Sequence, residues 1–224
     1  MIVALDARKL DDFGIGTYLQ GLIGEFARLG CPETLVAYRR PDRPVPEGLA
    51  GAPTVRWQDE PAPSYSLQEL WRLASAARRD RVELFHAPHY VCPPVLPCPA
   101  VVTIHDLIHL RVPDPDRPRL APLYARVMLR LAVRRARRLI TVSESTRQDL
   151  QARLGAPADR IRVIPNGVAA HFRPAADPAT LAPALTRLGV VRPYFLFVGN
   201  PLPHKNLGGL LDAFAPLPPT VGRL

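Results

Sequence analysis

Histidines follow two apolar segments of this sequence, at the points where each segment gives way to polar residues. The run LFHAPHY contains His86 and His89, and VVTIHDLIHL contains His105, Asp106 and His109. An imidazole can hydrogen-bond a sugar hydroxyl or exchange a proton near neutral pH. His105 ends the most strand-like run of the chain, so we expect it to line a reacting centre. For each histidine, the alternative is a hydrogen-bonded residue of the core.

Other polar or small residues also follow apolar runs. Gly14 and Gly16 lie in ARKLDDFGIG, after the first run, while Ser143 and Asn166 follow two later ones. The glycines either let backbone N–H groups approach a phosphate or form a plain turn. Position 19 is Leu, so the dinucleotide fingerprint GxGxxG is incomplete and an NAD site is disfavoured.

Neither the histidines nor the cysteines favour a metal site. His105 and His109 are four residues apart, as in some metalloproteases, but His105 directly follows a strand and no third ligand is evident. The three cysteines lack CxxC spacing. A metal-dependent hydrolase is therefore a disfavoured alternative, and we predict no metal and no cofactor.

The elements that would position these residues alternate between strand and helix. β-Branched runs without polar alternation are typical of strands covered on both faces. Such alternation predicts an α/β fold, a Rossmann-like parallel sheet with helices on both faces. The carboxyl ends of parallel strands share one edge of the sheet, so the polar residues above should share one crevice. The predicted strands are 2–5, 34–38, 54–57, 83–86, 100–104, 139–142 and 160–164, and the helices are 19–29, 66–77, 119–138 and 145–154; the rest of 41–63 is predicted to be irregular.

The pattern changes after Gly167. We predict an N-terminal domain over 1–168, a linker with one short helix over 169–192, and the start of a second Rossmann-like domain over 193–224. This last part contains one strand, 194–198, and one helix, 206–214. A single strand–helix unit cannot bury its own faces, so the second domain is expected to be truncated.

The net charge of +9 is a weak guide to function. Arginines outnumber lysines 27 to two and there are 27 prolines, which indicates a composition bias, and no nucleic-acid partner is predicted. Five arginines of the long predicted helix lie within about a third of its circumference. They form either a solvated face or a surface for anionic lipid or an acidic acceptor. These are Arg126, Arg130, Arg134, Arg137 and Arg138.

We also predict a cytoplasmic location, with peripheral contact at the inner membrane left open. No apolar stretch approaches the roughly 20 residues of a membrane span, and the start MIVALDARKL lacks the layout of a signal peptide.

Six motifs, taken together and in order, resemble glycosyltransferase family 4. They are DARKLDDFGIGTY, LFHAPHY, VVTIHDLIHL, RLITVSESTRQDL, RIRVIPNGV and YFLFVGNPLPHKNLGGLLDAF. The resemblance extends to about residue 215. It implies the GT-B architecture, with an acceptor-binding N-terminal domain, a donor-binding C-terminal domain, and retaining, metal-independent transfer from a nucleotide sugar to a glycan or lipid-linked acceptor.

The same resemblance suggests roles for individual residues. Gly14 and Gly16 match the loop that faces the donor diphosphate, His105 matches the histidine beside the transferred sugar, and Lys205 matches the cation that neutralises the diphosphate. The HKN ending at Lys205 is similar to that of mannosyltransferases, which suggests GDP-mannose as a donor. The remaining strand-end residues are expected to line the acceptor or sugar crevice: His86, His89, Asp106, Ser143 and Asn166.

The chain departs from the family in what it lacks. Many relatives carry an arginine just before the lysine, where this sequence has Asn200–His204, and the family's paired glutamates have no counterpart before residue 224. We therefore expect weak or no transferase activity from this chain alone. The alternative is a non-catalytic acceptor-binding module, or the remnant of a broken gene.

Overall fold

The computed structural model of the chain describes residues 1–112, 120–175, 177–218 and 222. They fall into two compact units. The first begins at Met1 and continues, beyond the undescribed segment 113–119, to Gly167, and the second begins at Val168.

The first unit is built on a parallel sheet, which confirms the predicted α/β fold. Among the described residues the sheet has seven strands in the order β3-β2-β1-β4-β5-β6-β7, and every pairing between them is parallel. The segment 41–63, expected to be mostly irregular, contains the edge strand β3. The strands are β1 (Ile2–Asp6), β2 (Thr34–Arg39), β3 (Val55–Asp59), β4 (Leu84–Ala87), β5 (Ala100–Ile104), β6 (Ala136–Thr141) and β7 (Ile161–Val163).

Helices pack on both faces of this sheet. Neighbouring residues of a strand point to opposite faces, so Leu5 joins a core with Leu19 and Ile23, while Ala4 joins a second core with Phe85 and Leu129. The helices of the described residues are α1 (Phe13–Arg28), α2 (Glu47–Ala50), α3 (Leu67–Arg79), α4 (Ile108–Arg111), α5 (Ala121–Arg135), α6 (Glu144–Leu154), α7 (Ala182–Arg187) and α8 (Leu207–Phe214), with short 3₁₀ turns at Ala158–Arg160, Pro178–Leu181 and Pro203–Lys205.

Side-chain hydrogen bonds to the first turn fix the start of two helices. The Ser66 hydroxyl accepts from the backbone N–H of Glu69, which confirms the predicted start of α3. The helix expected over 145–154 begins one residue earlier, at Glu144, because the Ser143 hydroxyl accepts from Thr146 N at 3.1 Å and caps it. Helix α1 begins at Phe13, so Gly14 and Gly16 belong to its first turns and not to the preceding loop.

Helix α5 is shorter than the predicted helix 119–138. It ends at Arg135, and β6 follows without an intervening residue. Arg137 and Arg138 therefore lie on a strand, because the backbone of this segment pairs in parallel with β5, with Val101 opposite Arg138. The prediction that all five arginines share one helical face was therefore wrong, although all five side chains are exposed.

No helix connects β4 to β5. The connecting segment, residues 88–99, contains five prolines and crosses from the carboxyl edge of the sheet to its amino edge. Its apolar residues Tyr90, Val91, Cys92 and Leu96 are buried in the core. We call this segment the proline-rich crossover.

The second unit contains helices and turns. The segment 194–198, expected to be a strand, forms none, and only Tyr194 makes an isolated bridge. A parallel strand needs a neighbour to satisfy its N–H and C=O groups, and none of the described residues of this unit forms one. Leu196 and Val198 are consequently 77% and 83% exposed.

Gly16 has a structural requirement that Gly14 lacks. A Cβ at position 16 would overlap the carbonyl oxygen of Leu10 and lie 3.0 Å from its carbon, whereas a Cβ at position 14 meets no atom within 4 Å. We predict that Gly16→Ala lowers the free energy of unfolding by about 1–3 kcal/mol. Gly14→Ala should leave it unchanged or raise it by up to about 1 kcal/mol. Chemical denaturation measures both, and equal effects would contradict this packing.

Candidate active site

The reversal of strand order lies between β1 and β4. Chain connections leave these two neighbouring strands in opposite directions, which opens a crevice at the carboxyl edge of the sheet. Three segments line this edge: the loop after β1, the beginning of the proline-rich crossover, and the residues after β5. Of the residues expected to form the site, His89, His105 and Asp106 lie on these segments, and His86 lies on β4 just before the crossover.

His105 is held at this edge by the backbone of the crossover. Its Nε2 lies 3.0 Å from the carbonyl oxygen of Pro88. Because a carbonyl only accepts, Nε2 carries the proton and Nδ1 is the acceptor of the neutral ring. Burial lowers the pKa of His105, against the opposing effects of the Pro88 carbonyl and Asp106. The ring of Tyr18 packs edge-on against it, with the centroids 4.9 Å apart. His105 is thus neutral near pH 7, with a fixed orientation and tautomer.

His86 lies in a buried network beside His105. Its Nε2 is 2.8 Å from the hydroxyl of Thr103, and the Tyr18 hydroxyl is 3.2 Å from the same oxygen. Burial, reinforced by His105, lowers the pKa of His86 to about 4. The network connects α1 to β4 and β5, and its position suits support of the site better than contact with a ligand.

His89 belongs to a chain of polar side chains across the crevice. Its Nδ1 accepts from Val91 N at 3.4 Å, so its Nε2 carries the proton and faces the Tyr65 hydroxyl at 3.5 Å. The ammonium group of Lys9 donates to that hydroxyl at 3.1 Å and to the Asp12 carboxylate at 2.9 Å. Burial keeps the pKa of His89 well below 6.5. The crevice therefore combines a cation, a phenol and a neutral imidazole.

A buried ion cluster fixes the loop after β1. The Arg8 guanidinium makes two hydrogen bonds of 2.8 Å to Asp6, one of 2.8 Å to Glu69 and one of 2.9 Å to the Ala62 carbonyl. Burial opposes the charge on Arg8, but Asp6 and Glu69 raise its pKa. Burial also raises the pKa of Glu69, against the attraction of Arg8. The cluster ties β1 to α3, beneath Lys9.

Sequence reasoning missed Arg8, Lys9, Tyr65 and Glu69. Tyr65 lies 56 residues from Lys9 in the chain, and its backbone adopts φ of 63°, which is uncommon for a tyrosine. One signal could have revealed Lys9. In a chain that uses arginine for nearly every basic residue, a lysine is an exception, and Lys9 and Lys205 are its two lysines.

The remaining expected residues have local partners or lie apart from this crevice. The Asp106 carboxylate accepts from Ile108 N at 3.0 Å, and the Ser143 hydroxyl caps α6. Thr146, in the first turn of α6, donates to the carbonyl of His105 at 3.1 Å. Asn166 is exposed after β7, and Lys205 is exposed in the second unit. Gly14 is exposed in the first turn of α1, while Gly16 is buried.

Within the described part of the chain, no group of three or more His, Cys, Asp or Glu side chains is arranged to hold a metal ion. The helices in that same part are all too short or too polar to cross a bilayer.

The sheet order, the helices on both faces and the polar crevice at the switch point define a Rossmann-like α/β domain. The sequence profile of Glycosyltransferase Family 4 matches residues 14–172, a range that includes every loop of the crevice except the one after β1. The chain belongs to this family.

One curated protein is similar to this chain in sequence, and two solved structures are similar to it in fold. The O-antigen chain mannosyltransferase B of Escherichia coli is 30% identical over 156 residues, which cover 69% of this chain and 40% of that protein. HepE of Anabaena, solved with UDP, has a TM-score of 0.63 at 19% identity, covering 99% of this chain and 59% of HepE. A glycosyltransferase of Rickettsia africae has a TM-score of 0.53 at 16% identity, covering 86% and 50%. The chain thus spans between 40% and 59% of the length of these proteins.

The buried state of His86 predicts a loss of stability in acid. Its pKa of about 4 in the fold is below the ordinary value of 6.5, so the fold favours the neutral ring. The resulting stabilisation is complete above about pH 6.5 and is lost as the pH falls towards 4. We expect a loss on the order of 3 kcal/mol over this interval from this residue.

Chemical denaturation of the wild type and of His86→Gln across this pH range measures that loss. The variant should show a shallower decrease between pH 6.5 and 5, where most carboxylates remain ionised. Parallel pH profiles for the two proteins would show that His86 does not carry the effect.

Proposed function

We propose that this protein takes part in the transfer of a hexosyl group from a nucleotide-diphosphate sugar to a glycan or lipid-linked acceptor, with retention of configuration. The observation that carries the proposal is the state of His105, in a chain that belongs to Glycosyltransferase Family 4. Its ring is neutral and oriented by the Pro88 carbonyl, so that Nδ1 can accept a hydrogen bond from a sugar hydroxyl.

The donor side of the proposal rests on charge. Helix α1 has no side-chain cap and no acidic residue in its first turn, so its free N–H groups, including that of the exposed Gly14, favour an anion such as a diphosphate. Gly16 supports this indirectly, by letting the loop after β1 pass close to the helix. Lys205 is exposed and would neutralise the departing nucleoside diphosphate.

Two relatives support a nucleotide-sugar donor. HepE has been solved with UDP and with UDP-glucose, and the Escherichia coli relative is named as a mannosyltransferase. We propose GDP-mannose as the donor of this protein, with no metal or cofactor required.

The acceptor would bind along the crevice that contains Lys9, Tyr65 and His89. An ammonium group, a phenol and an imidazole offer donors and acceptors for several hydroxyl groups of a sugar. Asp106, Ser143 and Asn166 extend the same carboxyl edge, and His86 supports the crevice from below.

Residues 1–224 alone are expected to show weak or no transfer. In the second unit the described residues form no sheet that could present a nucleotide-binding edge. A second candidate function, a non-catalytic acceptor-binding module, is favoured by the first unit, whose sheet is covered by a core on each face.

Ligand binding at the crevice tests both candidates. Titration of the full chain with mannose-containing oligosaccharides, followed by NMR of the histidine side chains, should shift the signals of His105 and His89. Replacing His105 by Ala removes one hydrogen bond, so we expect binding to weaken about 3–10-fold. His171→Ala, in the second unit, is the matched control. No shift with any glycan or nucleotide sugar would count against the crevice as a site.

Transfer is measured in parallel with labelled GDP-mannose, other nucleotide sugars and candidate acceptors. Glycan binding without transfer is the expected result for this chain. Robust turnover would overturn the expectation of weak activity and would exclude the non-catalytic alternative.

We further propose that the protein is cytoplasmic and contacts the inner membrane peripherally. The exposed face of α5 carries Arg126, Arg130 and Arg134 beside the exposed apolar Leu123 and Val127, and the helix contains no acidic residue. Apolar side chains flanked by arginines are typical of helices that lie in a membrane interface. Arg137 and Arg138, exposed on β6, extend the same positive charge.

Sedimentation with lipid vesicles tests this contact. The chain should bind phosphatidylcholine vesicles that contain phosphatidylglycerol and should not bind phosphatidylcholine alone. Arg126→Glu with Arg130→Glu should weaken binding at least about tenfold, since each basic residue near an anionic surface contributes about 1 kcal/mol. The charge-matched control, Arg78→Glu with Arg187→Glu, should bind as the wild type does. Equal binding by both double variants would argue against α5 as the contact.

A further inference from the structure

The positive charge of this chain is concentrated in one segment. Residues 117–143 contain eight arginines and no acidic residue. Of the 29 lysines and arginines, this leaves 21 elsewhere, against 20 acidic residues. A composition bias explains why these residues are arginines, but it does not explain why eight of them lie in a segment without a single carboxylate.

Part of the segment surrounds a large cavity at the amino edge of the sheet. The cavity has a volume of about 720 Å³ and lies where α5 ends and β6 begins. Five residues of β5 separate this edge from His105, a distance of about 16 Å. The cavity is therefore separate from the crevice described above. Its lining consists of Leu96, Pro97, Cys98, Pro99, Arg134, Arg135, Ala136, Arg137, Arg138, Asp159 and Arg160.

One arginine of the cavity is fixed in place by the protein backbone. Arg135 donates through Nη2 to the carbonyl oxygen of Leu96 at 3.2 Å and to that of Cys98 at 2.6 Å. Both acceptors belong to the proline-rich crossover. Carbonyl groups orient the guanidinium without cancelling its charge, so Arg135 can still attract an anion.

The other arginines of the cavity lack the ion pairs found elsewhere in the first unit. Arg8, Arg72, Arg111 and Arg147 each lie within 3.0 Å of a carboxylate oxygen. No carboxylate of the described residues lies within 4.0 Å of the guanidinium nitrogens of the cavity arginines. Asp159 is the single acidic residue of the lining. Five like charges around one opposite charge repel one another, and a bound anion would relieve that repulsion.

We propose that this cavity is a binding site for a ligand that carries two or more phosphate groups. One guanidinium group can donate two parallel hydrogen bonds to the oxygens of a phosphate. Arginine is favoured over lysine in phosphate sites for this reason. The volume is in the range of sites for molecules of nucleotide size. A cavity of this size suits a compact polyanion better than an extended nucleic-acid strand. The site does not depend on the transfer reaction proposed above.

Such a ligand can be free in solution or attached to a lipid. Arg134 belongs both to the cavity and to the exposed face of α5, so a phosphorylated lipid headgroup could reach the cavity from a membrane that contacts this helix. The site would bind phosphate groups in both cases. Competition between a soluble diphosphate and lipid vesicles distinguishes the two sources.

Calorimetric titration of the full chain with inorganic pyrophosphate tests the site. We expect saturable binding that sulfate at equal ionic strength does not reproduce. Arg137→Gln with Arg160→Gln should weaken it at least about tenfold, because each substitution removes charge-assisted hydrogen bonds. The control, Arg78→Gln with Arg187→Gln, should change it less than twofold. Absence of binding, or an equal loss in both double variants, would overturn the proposal, as would tighter binding of a single-stranded oligonucleotide than of pyrophosphate at the same salt concentration.

Vesicles of phosphatidylcholine and cardiolipin, a lipid whose headgroup carries two phosphates, then identify the source of the ligand. If saturating pyrophosphate releases the chain from the vesicles, the cavity takes a lipid headgroup. If vesicle binding is unaffected while pyrophosphate still binds, the ligand is a soluble polyanion. The binding of glycans at His105 should be unchanged in Arg137→Gln with Arg160→Gln, so that a failure at either site is distinguishable from a failure at the other.

Discussion

Parallel pairing of β1 with both β2 and β4 is the constraint from which the rest of this structure follows. It places the carboxyl ends of the strands at the same edge of the sheet. The connections that leave β1 and β4 in opposite directions open the crevice at this edge. The Arg8 cluster then fixes one wall, and the Pro88 carbonyl orients His105 on the other. In both walls a side chain hydrogen-bonds a backbone carbonyl, Arg8 that of Ala62 and His105 that of Pro88. These carbonyls are available because they belong to irregular segments and are not paired in the sheet.

The sequence allowed much of the sheet to be predicted, for a physical reason. Buried parallel strands need continuous β-branched or apolar runs, so β1 and β5 could be located within a residue, and the position of His105 at a strand end followed from β5. The boundaries that failed depend on tertiary partners. Pairing with β5 converts the end of the predicted long helix into β6, and the segment 194–198 has a strand-like sequence but no described partner to pair with.

The candidate site was less predictable than the fold because its contacts join distant parts of the chain. Gly16 can be recognised as obligatory only when the path of the Leu10 carbonyl is known. Tyr65 reaches Lys9 and His89 through a left-handed backbone conformation that its residue type does not suggest. The net charge of +9 alone does not indicate a site. The distribution of charge along the chain does, because eight arginines lie in residues 117–143 without an acidic residue.

The proline-rich crossover connects the two edges of the sheet in a way that a helix could not. A helix would use its carbonyls internally, whereas this segment offers Pro88 to His105 at one edge and Leu96 and Cys98 to Arg135 at the other. Its five prolines also restrict the unfolded chain, so less conformational entropy is lost when the segment becomes ordered. The same twelve residues therefore hold two separate polar groups in place. A substitution that changes the backbone path of this segment would disturb both edges of the sheet.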